Sequence, residues 1–272
     1  MPSLLIAGHG FLGAALKDEF NAAGWEVTTL SRSEDADICC DLTCSDQVMA
    51  IAGDYDVVIQ CASSGGGGEE KYRQVYLESA KHLIARFPAS SLIYVSSTSV
   101  YAQEDHSEVC EASVAAPKTA TGKILKQTED LVLAAGGRVA RLSGLYGPGR
   151  CHIVKNLLAG KARLDGEGER VMNFVHRADA ASALRLIAEQ PGSGDVLYNV
   201  SAGSCTQRQC YQALADHFGL PLSESAATTD QPRKRGNSSK YVRCTHLEAL
   251  GWQPRYPDFL SMALACLPEE HD

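Results

Sequence analysis

The stretch Leu4-Leu5-Ile6-Ala7-Gly8-His9-Gly10-Phe11-Leu12-Gly13 decides how the rest of the chain is read. An apolar run ends in three glycines spaced G-x-G-x-x-G. Apolar residues then recur at helical spacing (Phe11, Leu12, Ala15, Leu16, Phe20) until Gly24. A strand feeding a helix through such a turn sets backbone N–H groups and the positive helix end where a dinucleotide pyrophosphate fits. Gly8 is expected to make the tight turn, and Gly10 to leave out a Cβ that would block the phosphates. Gly13 is expected to let helix and strand pack closely. Ordinary strand-to-helix corners also carry such glycines, so the surrounding pattern has to decide.

That pattern alternates. Trp25 to Leu30 reads as a second strand, Ile38 to Leu42 as a short third, and Ser45-Asp46 as the start of a helix. The unbroken apolar run Asp56 to Ala62 reads as a buried parallel strand. A long helix is predicted over Glu69 to Phe87, then a strand at Leu92 to Val95, a helix from Ala120 to Ala135 and a strand at Arg138 to Leu142. Strands regularly separated by helices imply a doubly wound parallel α/β sheet. Beyond the segment Gly144 to Arg150 the alternation becomes irregular. Strands are predicted at Asn173 to Val175 and Leu197 to Val200, helices at Arg177 to Glu189 and Thr206 to Phe218, and a tail over Tyr241 to Leu267. The reading is a Rossmann domain over 1–145, to which 171–204 returns, with a small, discontinuous C-terminal lid from 146–170 and 205–272. Gly65 to Gly68 either bring a ligand close to the backbone or form a plain connector.

Composition bounds the partners. The 272 residues carry a net charge of −8, with 44% hydrophobic and 21% charged residues, an ordinary globular balance. The negative field argues against a nucleic-acid surface, so any phosphate ligand must be gripped locally. The ten cysteines include no C-x-x-C pair, so no zinc cage is expected and metal is left out of the site. No run approaches the roughly 18 apolar residues of a membrane span, and Met-Pro-Ser lacks a basic signal start. Free thiols in a cytoplasmic protein with no membrane partner are the expectation.

At the end of the second strand, an acidic residue would favour the ribose hydroxyls of NAD, and an arginine the 2′-phosphate of NADP. Ser31-Arg32-Ser33 stands there, so NADP is preferred over NAD, although Arg32 could instead stack on adenine or face solvent. Asp41 is a candidate acceptor for the adenine amino group. Phe11, Leu12, Cys61, Ala62 and Ser63, at the turn and at the fourth strand's end, complete the expected cofactor residues.

With these pieces assembled, the chain resembles an extended or atypical short-chain dehydrogenase/reductase of the NAD-dependent epimerase/dehydratase family. The likeness spans nearly the whole chain. It rests on the glycine turn, Ser96-Ser97-Thr98-Ser99-Val100-Tyr101, Arg141-x-x-Gly144-Leu145-Tyr146-Gly147-Pro148-Gly149-Arg150 and Asn173-Phe174-Val175-His176-Arg177-x-Asp179. Tyr198-Asn199-Val200 and Leu250-Gly251-Trp252-x-Pro254 extend it. The resemblance implies a Ser/Thr, a Tyr and a Lys, the last two as Tyr-x-x-x-Lys, with the phenol as acid/base for a substrate hydroxyl. Ser97 matches the serine and Lys123 the lysine, but Thr119 stands where the tyrosine belongs, and an aliphatic hydroxyl cannot take that role.

Three readings stay open. Another group supplies the proton, with Tyr101, Tyr146, His152 and His176 as candidates; or the protein binds NAD(P) as a sensor or scaffold without turnover; or Lys123 acts with Ser97 and a water, contributing to cofactor binding as well. The resemblance implies a small-molecule substrate, either a nucleotide-sugar or a small hydroxyl or carbonyl compound, handled by an oxidoreductase, epimerase or dehydratase. Tyr146, Arg150, His152, Arg233 and Arg235 are the candidate substrate residues, the last two equally readable as a solvated charge run. The helices Glu69 to Phe87 and Ala120 to Ala135 form the dimer face in enzymes of this kind, which implies a homodimer.

Overall fold

The computed structural model describes residues 1–88, 90–192, 194, 196–222 and 238–259. Strands β1 (Ser3–Ala7), β2 (Glu26–Ser31), β3 (Ile38–Cys39), β4 (Val57–Gln60) and β5 (Ser91–Ser97) alternate with helices. These are α1 (Phe11–Ala22), α2 (Ser45–Met49) and a long helix made of α3 (Glu69–Tyr72), a π turn (Arg73–Glu78) and α4 (Ser79–Arg86). A short β6 (Glu108–Val109), α5 (Ala120–Ala134), β7 (Arg138–Leu142) and β8 (Gly144–Tyr146) follow. Then come α6 (His152–Leu158), β9 (Val171–His176), α7 (Arg177–Ala188), β10 (Leu197–Val200), β11 (Gly203–Thr206), α8 (Gln207–Phe218), β12 (Tyr241–Val242) and α9 (Thr245–Ala249).

Seven strands form one parallel sheet in the order β10-β7-β5-β4-β1-β2-β3, which is the doubly wound architecture expected. The chain starts in the middle and winds outward both ways, so the ends of β1 and β4 meet at a crevice. β1 is apolar because both faces are covered: Leu5 and Ala7 pack toward α4 and α5, Leu4 and Ile6 toward α1 and α7. A third core (Tyr146, Leu157, Phe174, Leu214, Phe259) sits under the three-stranded sheet β11-β9-β8. β9 pairs with β8 and β11, whereas β10 pairs with β7 inside the main sheet. The predicted tail to Leu267 is described only as far as Phe259, and lies otherwise outside the described residues.

The long helix is not uniformly α. Gln60, buried at the end of β4, donates through Nε2 to the carbonyls of Tyr76 (3.0 Å) and Val75 (3.5 Å). A side chain inserted into the i→i−4 ladder widens it locally, which accounts for the π turn at Arg73–Glu78. The described cysteines are all free, and no described helix is long and apolar enough to cross a membrane.

Candidate functional site

The glycine turn is held from three sides. Gly8 has φ +130°, and a Cβ there would meet the Ala62 nitrogen at 2.4 Å. Its N–H donates to Leu30 O (2.9 Å), while Cys61 and Ala62 N–H both donate to Ala7 O (3.0 Å). The Cys61 thiol donates to Gly8 O (3.3 Å); burial pushes its pKa up to about 12, so it remains a neutral donor. A Cβ on Gly13 would lie 2.2 Å from Gly8 O, so glycine alone lets α1 approach the turn. Gly10 differs: a Cβ there meets nothing within 4 Å. α1 has no side-chain cap, which leaves its first-turn N–H groups facing open space at the floor of a cleft.

That cleft, about 1050 Å3, crosses the carboxyl ends of the sheet strands. Gly8, Gly10, Phe11, Leu12, Ser31, Arg32, Asp41, Cys61, Ala62, Ser63, Ser97, Tyr101 and Arg150 all line it. At one end Ser31 Oγ accepts from Ser33 N (3.0 Å), and no carboxylate stands at the end of β2. Asp41 accepts from Thr43 N (3.0 Å) and Thr43 Oγ1 (2.8 Å). The backbone bond and the nearby Arg32 charge hold its pKa below the usual range. Asp37 is turned back onto Thr29 (2.7 and 2.8 Å).

At the other end the expected catalytic set separates. Ser97 Oγ lines the cleft and accepts from Ser99 N (3.2 Å). Tyr101 is 1% exposed; its hydroxyl accepts from Arg141 Nη1 and donates toward Asn199 Oδ1 and Cys110 O, each at 2.9 Å. Burial raises its pKa, so the phenol stays protonated and its hydroxyl is engaged within the fold. Lys123 is exposed and does not line the cleft. Thr119 caps α5 by accepting from Gly122 N (3.1 Å), and from that cap the helix phase turns Thr121 and Leu125 to the cleft.

Several lining residues were not singled out from the sequence. Val75, Tyr76 and Ser79 reach the wall through the π turn, and Glu104 pairs with Lys118 at 3.0 Å on the rim. Ser143 Oγ and His9 Nδ1 are buried at the cleft with no hydrogen-bond partner among the described residues. His9 was legible as the middle of the turn, whereas Ser143 carries no sequence signal.

The lid residues mostly serve the lid. Tyr146 packs edge-on against Phe174, His176 and Phe259 and borders a separate cavity of about 90 Å3. His152 is exposed beside Asn156 (3.0 Å), off the cleft. Arg233 and Arg235 lie outside the described residues.

His176 caps α7, its Nδ1 accepting from Ala178 N (3.3 Å), and burial with the Arg177 charge lowers its pKa to about 4. It is therefore neutral and no acid at pH 7. A folded pKa below the unfolded value of about 6.5 gives stability present above that value and lost as pH falls toward 4. The expected loss is on the order of 2–3 kcal/mol between pH 6.5 and 4. His176→Asn, which keeps a capping acceptor without titrating, should flatten that slope in urea melts; an unchanged slope would remove His176 as its source.

The chain resembles known proteins along nearly its whole length. It is 30% identical to protein YeeZ of Escherichia coli K12 over 97% of this chain and 100% of that one. A candidate NAD-dependent epimerase/dehydratase from Methylobacillus flagellatus superposes with TM-score 0.77 at 26% identity, covering 97% of both chains. UDP-glucose 4-epimerase from Thermotoga maritima, solved with UDP-glucose, shares the fold at TM-score 0.76 and 19% identity, over 98% of this chain and 97% of that one. The model of the NAD dependent epimerase/dehydratase family matches residues 4–201, from the first strand to the end of β10. The chain therefore belongs to the NAD dependent epimerase/dehydratase family.

Proposed function

We propose that the protein binds NADP in preference to NAD across the glycine turn. In this reading it acts on a nucleotide-sugar or a related small hydroxyl or carbonyl compound. The carrying observation is the open face of Gly10 before the uncapped end of α1, at the floor of a cleft large enough for two ligands. Bound there, the nicotinamide would supply the hydride acceptor or donor. Arg32, with Ser31 beside it and Asp41 and Asp37 both engaged by threonines, supports the 2′-phosphate over a free ribose. The far end is rich in hydroxyls (Ser97, Ser99, Thr119, Thr121, Ser143), which suits a polyhydroxylated ligand. UDP-glucose in the Thermotoga epimerase is a ligand of that kind.

In this reading Ser97 orients the substrate, and Lys118 is the ammonium at hand, with Glu104 setting its position. The locked Tyr101 hydroxyl and the outward Lys123 favour a second reading, cofactor binding without turnover. Titration with NADPH and NADH tests the binding claim: Arg32→Ala should weaken NADPH by about tenfold and NADH little, and equal losses would overturn the NADP assignment. Turnover across nucleotide-sugars and small carbonyls, undiminished in Lys123→Ala, would support the enzyme reading. Saturable cofactor binding with no turnover would select the second.

A further inference from the structure

The guanidinium carbons of Arg150 and Arg177 sit over one ring, that of Phe11, at 5.0 and 5.1 Å. Phe11 is the first residue of α1, so both charges stand at the open end of the glycine turn. Like charges repel, and an anion bound between two guanidiniums relieves that repulsion. Neither guanidinium meets a carboxylate or carbonyl among the described residues, although the protein carries 33 acidic side chains against 25 basic ones. Several arginines elsewhere do find acceptors: Arg141 on Glu129, Arg185 on Glu19, Arg170 on Asp165, Arg138 on backbone carbonyls. The ring contacts hold the two side chains in place while leaving their N–H edges unused, and a guanidinium edge matches phosphate oxygens in a bidentate way. The stem of Arg177 lies close against Gly147, its Cγ 3.0 Å from where a Cβ on that glycine would be.

We propose that Arg150 and Arg177 form a two-arginine clamp for a diphosphate group lying over the first turn of α1. The clamp rests on the reading that this turn takes a dinucleotide, and it adds a grip from the lid side to the backbone N–H groups below. Arg177, which opens α7, is the part of it that the motif around the glycines does not announce. Two sources share the chemistry: the pyrophosphate of the cofactor, or the diphosphate of a nucleotide-sugar.

Arg150→Met and Arg177→Met keep the apolar stem and remove the charge. Calorimetric titration of the wild type and both variants with NADPH, UDP and inorganic pyrophosphate separates the outcomes, with thermal melts confirming that each variant is folded. Each substitution is expected to weaken NADPH by about tenfold or more, with Arg177→Lys recovering part of the loss. A loss confined to UDP would keep the clamp and assign it to the substrate's diphosphate. Loss of pyrophosphate binding in a protein that never bound NADPH would keep the clamp while removing the dinucleotide reading. All three ligands binding both methionine variants within about twofold of wild type would overturn the clamp and leave NADP binding standing. Failure of the wild type to bind any of the three would overturn both.

Discussion

Glu129→Ala is expected to destabilise the protein by about 3–5 kcal/mol, because it leaves the Arg141 guanidinium charged and buried without its partner. Glu129 is 0% exposed and Arg141 3%. Glu129 Oε1 accepts from Arg141 Nε (3.0 Å) and Ser96 Oγ (2.6 Å), and Oε2 accepts from Arg141 Nη2 (2.6 Å). The remaining Arg141 nitrogen reaches the Tyr101 hydroxyl, so one ion pair ties α5, β5, β7 and the loop after β5 together. Burial opposes the charge on Arg141, yet the carboxylate holds its pKa above the ordinary value. The pair itself need not be a net gain. Glu129→Leu combined with Arg141→Met should recover most of the lost stability, since apolar replacements of similar volume are often neutral. Urea denaturation of the three proteins measures this directly. A loss below about 1 kcal/mol in Glu129→Ala would mean that water reaches the guanidinium and the pair is not closed.

That network shows why the catalytic end was harder to read than the cofactor end. The glycine turn is largely local: its strand, its helix and the approach of Gly13 to Gly8 follow from ten consecutive residues, although the strand ends at Leu30 and Ala62 complete it, and the alternation of apolar runs and helices gives the sheet. Tyr101 was a reasonable acid from its place after Ser97, but its hydroxyl is used by Arg141 and Asn199, residues distant in sequence that only the folded sheet brings near. Lys123 lies off the cleft for a different reason. Its spacing from Thr119 fits a motif, yet Gly122, Ile124, Leu125, Thr128, Glu129 and Val132 are the buried positions of α5, and that pattern leaves Lys123 outward. The π turn escaped because no periodicity in Glu69 to Phe87 encodes it; the cause is Gln60, on another strand. The irregular chain after Gly147 hid the β11-β9-β8 sheet, whose strands are short and joined by segments of very different length.

The glycines offer the second large effect, because Gly13 and Gly10 should fail in different ways. Gly13→Ala places a methyl group 2.2 Å from a backbone oxygen, so helix or turn must move, and a less stable protein is expected. A Cβ at position 10 meets no atom within 4 Å, so Gly10→Val starts from open space, and the φ of −120° is not one reserved for glycine. The variant should therefore melt like the wild type. What it fills is the space over the α1 N–H groups, so affinity for NADPH should fall by about 100-fold or more, the cost of displacing the phosphates from the turn. Fluorescence titration beside a thermal melt reads both quantities in one preparation. An unaltered melt with unaltered affinity would mean that the ligand does not run over Gly10, and the dinucleotide would have to be placed elsewhere in the cleft. A lost fold would show instead that the turn needs glycine for its own geometry. Only stable protein with lost binding isolates the vacant side of Gly10 as the place where phosphate lies.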